Sequence, residues 1–102
     1  MIVRWTRKAQ IDLRGIEKHI AIDSPTLAKA MSKKIASKTK ILADHPLFGA
    51  AVDVYDVDRI RELLVVPYRI LYKVNECDGY CEVLAIFHAA QLLPDLLDTS
   101  SG

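Results

Sequence analysis

One apolar segment near the middle of the chain limits the fold more than any other feature. It covers residues 59–74 and reads RIRELLVVPYRILYKV, with β-branched and aromatic residues throughout. Runs of this composition are typical of β-strands. We therefore expect two strands here, broken at Pro67 and Tyr68. Three cations, Arg61, Arg69 and Lys73, interrupt the otherwise apolar pattern.

A third strand is expected at residues 80–88, which read YCEVLAIFH. It follows an Asp78-Gly79 pair, a dipeptide typical of two-residue β-hairpin turns. A two-residue loop would place Cys77 opposite Tyr80 and diagonal to Cys81, which is poor geometry for a disulfide. Since no further cysteine and no nearby histidine completes a metal site, we expect both thiols to be reduced.

Residues 2–22 predict a short strand followed by an amphipathic helix. The strand covers residues 2–6 and the helix roughly residues 8–22. Apolar residues recur every three or four positions along the helix and form one stripe. The stripe consists of Ala9, Leu13, Ile16 and Ile20. Ile11 and Ile22 lie outside it, so either a neighbouring helix covers them or they are left for a partner.

A second helix is expected at roughly residues 25–43. Ser24 suits the N-cap and Pro25 the first helical position, so the two helices would form an αα-hairpin. The expected apolar face consists of Leu27, Met31, Ile35 and Leu42. Lys34 and Lys38 lie at the edges of that face, where a lysine stem can cover apolar surface while its ammonium group stays in water.

Residues 44–58 are expected to form a loop, because Pro46 and Gly49 interrupt any periodic pattern. Leu47, Phe48 and Tyr55 are expected to hold this loop against the sheet. We expect a single domain over residues 1–98 and a disordered tail at residues 99–102.

The elements follow one another as β-α-α-β-β-β. The predicted fold class is α+β, with a helical hairpin packed on one face of a small antiparallel sheet. The first strand is expected either at an edge or in the middle of that sheet.

The apolar runs are too short to cross a membrane, and the many charges in residues 1–20 are not those of a signal peptide. We therefore expect a cytoplasmic protein.

The charge is unevenly divided along the chain, although its formal net value is only +1. Residues 1–40 contain ten Lys or Arg against three Asp or Glu, whereas residues 41–102 contain four against ten. Such asymmetry indicates a basic helical half that meets an acidic protein or a nucleic acid. A solvated basic face is the alternative, and composition does not separate the two.

Four segments together resemble the ParE-type toxins of bacterial toxin–antitoxin systems. They are WTRKAQIDLRGIEKHI, LADHPLFG, RELLVVPYRILYKV and VLAIFHAAQLLP, and in this order they cover about residues 2–94. The resemblance implies the ParE/RelE toxin fold, a ParD-like antitoxin bound in a hetero-oligomer, DNA gyrase as the target, and no cofactor. It also implies an alternative, because RelE-type members share the fold and cleave messenger RNA on the ribosome.

The candidate nuclease residues are Arg61, Arg69 and His88. RNA cleavage without a metal needs a base, an acid and cations that hold the phosphate. The two arginines resemble the arginine-bearing strand positions of RelE-type members. However, Ala89-Ala90-Gln91 follows His88 where family members often carry arginine, and no later tyrosine follows. Residues 44–58 contain four aspartates and no Lys or Arg, which would repel RNA.

We therefore expect a binding toxin that performs no covalent chemistry, contacts no nucleic acid directly and holds no metal. A ribosome-dependent ribonuclease and a toxin-fold protein without activity are the alternatives. In the binding hypothesis, Arg61 pairs with an acidic residue on a neighbouring strand, and Arg69 binds backbone groups or antitoxin carboxylates.

The expected antitoxin contacts combine cations with apolar anchors. They are Arg7, Ile11, Arg14, Lys34, Lys38, Arg61, Leu63, Tyr68, Arg69 and Leu71. Charge would speed the encounter and improve selectivity, while affinity would come from the apolar residues. A helix in a groove and a strand added to a sheet edge are the two modes of recognition that this architecture offers.

Overall fold

The computed structural model describes residues 1–52 and 59–91. Its elements are β1 (Ile2–Trp5), α1 (Arg7–Ala21), α2 (Pro25–Lys40), a 3₁₀ turn (Ile41–Ala43), β2 (Ala50–Ala51), β3 (Ile60–Val65), β4 (Tyr68–Asn75) and β5 (Tyr80–His88). The predicted α+β class is confirmed, because two helices pack on one sheet that contains all the predicted strands. The predictions for Tyr55 and for residues 99–102 fall outside the described residues. No helix within the described ranges is long and apolar enough to cross a membrane.

The five strands form one sheet in the order β1-β5-β4-β3-β2. β3, β4 and β5 are the expected antiparallel meander, and β2 adds a short antiparallel strand inside the predicted loop. β1 lies at one edge and runs parallel to β5, with Val3 opposite Cys81. The sheet is therefore mixed and not antiparallel throughout. Alternating apolar residues identify the buried side of a strand but not the direction of its neighbour, so the sequence did not reveal this feature.

Side-chain hydroxyls begin both helices. Thr6 Oγ1 accepts a hydrogen bond from Ala9 N (3.0 Å) at the start of α1. Ser24 Oγ accepts one from Leu27 N (3.2 Å) at the start of α2, and Pro25 occupies the first position of that helix as predicted. N-caps of this kind contribute about 1 kcal/mol each.

The hairpin buries the predicted stripe of α1 but only part of the predicted face of α2. All members of the α1 stripe belong to the core or pack against it. In α2, the buried residues are Ala28, Ile35 and Thr39. Leu27 is 62% exposed, because it lies one position, and so about 100°, around the helix from Ala28. The prediction that Leu27 belongs to the core is therefore wrong.

Apolar side chains occupy both faces of the sheet. The face toward the helices belongs to the main core, with Ile70, Tyr72, Val74 and Val83 among its buried strand residues. The opposite face holds a smaller cluster formed by Val52, Ile60, Leu71 and Leu84. β4 is therefore buried on both sides and anchors the whole sheet.

The loop after α2 is held by the Tyr72 hydroxyl. This group donates a hydrogen bond to the Pro46 carbonyl (2.8 Å) and accepts one from Gly49 N (2.9 Å). Burial raises the pKa of Tyr72, an effect that exceeds the lowering by the Gly49 N–H and by the Arg61 charge. Leu47 and Phe48 are each 56% exposed. The prediction that these two side chains hold the loop is therefore wrong, because a buried polar contact does so instead.

The hairpin between β4 and β5 has a four-residue loop and not the expected two-residue loop. Asn75 is the last residue paired across it, opposite Tyr80, which leaves residues 76–79 in the turn. Gly79 adopts a left-handed conformation (φ 73°) that favours glycine. Cys77 is exposed in this loop and Cys81 is buried in the strand, and both are free thiols as predicted. Burial raises the pKa of the Cys81 thiol.

Candidate partner-binding groove

A groove of about 650 Å³ lies between α1 and the ends of β4 and β5. Its walls include Ile11, Gly15, Ile16, Tyr68, Ile86 and His88. Ile11 is 53% exposed even though α1 packs against the core along its other face. From the sequence, either a neighbouring helix or a partner could cover Ile11. The structure resolves part of this question, because α2 leaves Ile11 uncovered.

One wall of the groove is the edge of β5, and no strand of the described ranges pairs with this edge beyond the end of β1. β1 ends at Trp5, which is opposite Val83, so β5 extends beyond the end of its parallel neighbour. Side chains replace the missing strand, and three hydrogen bonds result: Thr6 Oγ1 donates to the Leu84 carbonyl (3.1 Å), Asp12 Oδ2 accepts from Ile86 N (3.0 Å) and Gln91 Oε1 accepts from His88 N (2.8 Å). The polar backbone on this edge is therefore largely satisfied within the chain.

The rim of the groove is polar. Lys8 Nζ forms an ion pair with Asp12 (2.9 Å), one turn further along α1, and His19 also lines the groove. Arg14 and Lys18 are exposed on one side of the same helix, outside the lining of the groove. Among the described residues, the groove thus combines an apolar floor with a rim that holds the Lys8–Asp12 ion pair and His19.

Two of the predicted antitoxin contacts, Ile11 and Tyr68, line this groove. The cations Arg7, Arg14 and Lys34 are exposed on the two helices, outside its lining. Lys38 is half-buried, and its Nζ lies 5.2 Å from the centre of the Phe48 ring. This position agrees with the predicted place of Lys38 at the edge of an apolar face, and its ammonium group makes a cation–π contact with Phe48.

Leu63 and Leu71 are buried and do not form the surface that the sequence suggested. Leu63 is 2% exposed in the main core, and Leu71 is 0% exposed in the cluster on the opposite face. Both strands lie inside the five-stranded sheet, and neither side chain reaches its surface. A partner that docks on this conformation does not reach either side chain.

Arg61 contacts backbone carbonyls and not the acidic side chain that we expected. Its Nη1 donates to the Gly49 carbonyl (2.5 Å), and the Leu47 carbonyl lies 3.5 Å from the same nitrogen. Arg61 and Tyr72, which are directly opposed on β3 and β4, thereby both hold the loop that precedes β2. Its guanidinium is used in the fold.

Arg69 forms the acidic pair instead. Both its Nε and its Nη2 donate to Glu62 Oε2, the first at 2.7 Å. Its guanidinium also lies 5.4 Å from the centre of the Phe87 ring. Since Glu62 is on the neighbouring strand β3, this is the cross-strand ion pair that the sequence analysis assigned to Arg61.

His88 ends β5 at the groove and is engaged within the chain. Its Nδ1 accepts a hydrogen bond from Ala90 N (3.0 Å), and its ring meets the Tyr68 ring edge-on at 5.8 Å. The structure brings His88 near neither arginine. In the sheet register, His88 is level with Tyr68 and Val65. Arg61 lies four residues, or roughly 13 Å, along β3 from that level. Arg69 is on the other face of the sheet. Within the described ranges, no three His, Cys, Asp or Glu side chains are grouped as metal ligands.

The sequence patterns did not reveal the roles of Asp12 and Gly15, which line the groove, or of Thr6, which binds the strand edge beside it. The roles of Thr6 and Asp12 depend on backbone groups 78 and 74 residues away, which no local pattern encodes. The sequence alone could have identified Gly15 as unusual, because a glycine in the middle of an amphipathic helix lowers the stability of that helix.

The family model described as "ParE toxin of type II toxin-antitoxin system, parDE" matches residues 3–93. Among solved structures, the chromosomal ParDE toxin–antitoxin system of P. aeruginosa is 26% identical, with a TM-score of 0.71, and the match covers 86% of this chain and 95% of that chain. A search of the curated proteins finds no match.

Two further structures share the fold at lower identity. In the toxin–antitoxin complex RelBE2 of Mycobacterium tuberculosis, the matched chain is 21% identical (TM-score 0.61), with 88% of this chain and 92% of that chain covered. The isolated RelE toxin of E. coli is 10% identical (TM-score 0.57), with 98% and 94% covered.

Proposed function

The chain belongs to the ParE toxin family of type II toxin–antitoxin systems, and on that premise we propose that it inhibits DNA gyrase and is neutralised by a ParD-like antitoxin. The family match over residues 3–93 carries this proposal. The similarity to a ParDE system, which covers nearly the whole of that chain, supports the choice of a ParD-like partner. Because gyrase acts on the bacterial chromosome, we also propose a cytoplasmic location.

The distribution of charge supports an acidic partner segment. The exposed Arg7, Arg14 and Lys34, together with Lys38, lie on the basic helical half of the chain. We propose these cations as antitoxin contacts that speed the encounter, a role in which charge is more effective than in setting affinity. Ile11 and Tyr68, which line the groove, are the apolar contacts that this proposal retains.

The geometry of the candidate nuclease residues favours binding over RNA cleavage. A ribonuclease needs a base, an acid and phosphate-binding cations around one reacting group. Here Arg61 is bound to loop carbonyls, Arg69 to Glu62, and His88 to the turn that follows it. These contacts support a toxin that acts through its surface.

The test combines the purified protein with gyrase, relaxed plasmid and ATP. We expect supercoiling to stop. We also expect gyrase to be trapped on cleaved DNA, which is detected as linear plasmid once the enzyme has been denatured. Premixing the toxin with its cognate ParD-like antitoxin should abolish both effects. Normal supercoiling together with cleavage of ribosome-bound messages would overturn the proposal in favour of the ribonuclease, and no effect on either target would indicate a protein without toxic activity.

A further inference from the structure

The outer face of the helical hairpin carries two rows of cations. Residues four or seven positions apart on an α-helix lie within about 40° of each other around its axis. Cations recur at this spacing on both helices. The row on α1 consists of Arg7, Arg14 and Lys18, and the row on α2 consists of Lys29, Lys33 and Lys40. All six side chains are exposed.

The contacts between the two helices place both rows on the same side of the hairpin. Ser32 Oγ donates a hydrogen bond to Glu17 Oε2 (3.1 Å) across the seam. Beside this contact lies a shallow furrow of about 570 Å³, lined by Glu17, Lys29, Ala30, Ser32, Lys33 and Ala36. Arg14 lies three positions before Glu17, and so about 60° around α1 from it. The row on α1 therefore borders the furrow on one side, and the row on α2 borders it on the other.

Carboxylates do little to neutralise this face. Within residues 1–52 and 59–91, the ion pairs join Lys8 to Asp12 and Arg69 to Glu62, so none of the six cations takes part in one. Glu17 is the one carboxylate in the lining of the furrow, and it is already hydrogen-bonded to α2. The helix α2 contains no Asp or Glu. The furrow therefore presents a concentrated positive charge, which attracts polyanions.

The other side chains of the furrow favour a duplex nucleic acid over a protein or a single strand. Protein interfaces take their affinity from large apolar anchors, whereas the furrow offers only Ala30, Ser32 and Ala36 between its charges. Single-stranded nucleic acids are bound largely by stacking their bases on aromatic rings, and residues 7–40 contain no Phe, Trp or Tyr. A lysine contacts a phosphate as a point charge and reads no base.

We propose that the furrow binds duplex DNA through its phosphates and without preference for sequence. From Lys29 to Lys40 the row on α2 extends roughly 16 Å, which matches about five base pairs of duplex. The expectation of no contact with nucleic acid rested on the aspartates of residues 44–58 and on the candidate nuclease residues, and none of their described members lines the furrow. This inference goes beyond the proposed function, because it requires neither gyrase nor antitoxin.

The test titrates a fluorescently labelled DNA duplex of about 20 base pairs with the purified chain, and follows anisotropy at several salt concentrations. The logarithm of the affinity should fall linearly with the logarithm of the salt concentration, with a slope of about −4 to −5 for about five phosphate contacts. The double variant Lys29→Gln, Lys33→Gln should bind at least roughly tenfold more weakly at about 0.1 M salt, and its slope should be shallower by about two.

The double variant Lys34→Gln, Lys38→Gln is the matched control. It removes the same charge from the same helix at the same spacing, but both lysines lie at least about 100° around α2 from Lys29 and Lys33, and neither lines the furrow. Because salt screens charges more than about 10 Å apart, this variant should bind DNA to within about twofold of the natural chain. Circular dichroism checks that both double variants are folded.

Weakened binding in the Lys29 and Lys33 variant alone supports the inference. Equal losses in the two double variants overturn it, because binding would then follow net charge and not this face of the hairpin. It is also overturned if the natural chain does not bind the duplex at about 0.05 M salt, or binds a single strand of the same length more tightly. Tighter binding of a polyglutamate peptide would overturn it in favour of an acidic protein partner. Each of these results leaves gyrase inhibition and antitoxin binding undecided, since the assay contains neither protein.

Discussion

Arg61 and Arg69 project from opposite faces of the sheet. Arg61 lies opposite Tyr72 in the β3–β4 register, whereas Arg69 lies opposite Leu64. Directly opposed residues share a face and successive residues alternate, so Arg61 shares the helix-side face with Leu63 and Arg69 points away from it. One phosphate group therefore does not contact both guanidinium groups in this fold. The two cations that first suggested a phosphate-binding sheet are separate structural residues.

His88 is expected to be dispensable for toxicity. His88→Gln keeps a side chain that accepts hydrogen bonds, but it removes the imidazole that acid–base chemistry would use. If the protein acts by binding, induced expression of this variant should arrest growth to within about twofold of the natural chain. Loss of a general acid or base typically slows an enzyme by 10²–10⁴-fold. A loss of growth arrest of that size, in a variant that still folds and still binds the antitoxin, would restore the ribonuclease hypothesis.

Local patterns predicted the strands and helices well, because each pattern reports its own segment. The bounds predicted for the third strand of the meander, residues 80–88, agree with β5, since a run of mainly apolar residues follows a turn signal. The direction of β1, the exposure of Leu27 and the burial of Leu71 depend on which element lies next to which. The groove depends on the same information, because Asp12 and Ile86 meet across 74 residues.

Gly49 and Gly79 should respond to alanine for different reasons. Gly49→Ala places a Cβ against the Glu62 carbonyl and 2.7 Å from a ring carbon of Tyr72. Overpacking against backbone should cost about 3 kcal/mol and lower the melting temperature by more than about 10 °C. The Cβ of Gly79→Ala meets no atom within 4 Å. The left-handed φ of 73° at this position should still lower the free energy of unfolding by about 1–2 kcal/mol, because alanine is strained in that conformation. Equal losses in thermal unfolding would show that the loop at Gly49 moves to admit the new methyl group.

Tyr72→Phe should weaken the fold at neutral pH but make it less sensitive to alkali. The change leaves Gly49 N and the Pro46 carbonyl without their partner, at about 1–3 kcal/mol. Because burial raises the pKa of Tyr72, the folded state keeps this proton after the unfolded chain begins to lose it, near pH 10. The natural chain therefore loses stability as the pH rises from about 10 through the folded-state pKa.

Urea unfolding at several pH values between 8 and 11 tests this prediction. The free energy of unfolding of Tyr72→Phe should fall less steeply above about pH 10 than that of the natural chain. Tyr80→Phe is the matched control, since the Tyr80 ring is only half-buried under the Arg4 guanidinium. If both variants follow the natural pH profile, the buried hydroxyl does not contribute to the alkaline loss of stability.

Asp12 should matter through its hydrogen bond to β5 more than through its ion pair. Asp12→Ala leaves Ile86 N without the acceptor that replaces a neighbouring strand, and we expect a loss of about 2 kcal/mol in urea unfolding. Asp12→Asn keeps an acceptor oxygen and loses only the exposed pair with Lys8, which is worth about 0.3–0.5 kcal/mol. Lys8→Ala should match Asp12→Asn.

The same substitution should also expose the edge of β5. An unpaired strand edge promotes pairing between chains, so Asp12→Ala should form concentration-dependent oligomers in light scattering, whereas Asp12→Asn should remain as the natural chain does. Equal stability and equal oligomer content in the two variants would mean that the carboxylate acts through its charge. The hydrogen bond from Ile86 N to Asp12 would then contribute little to the stability of the fold or to the protection of the strand edge.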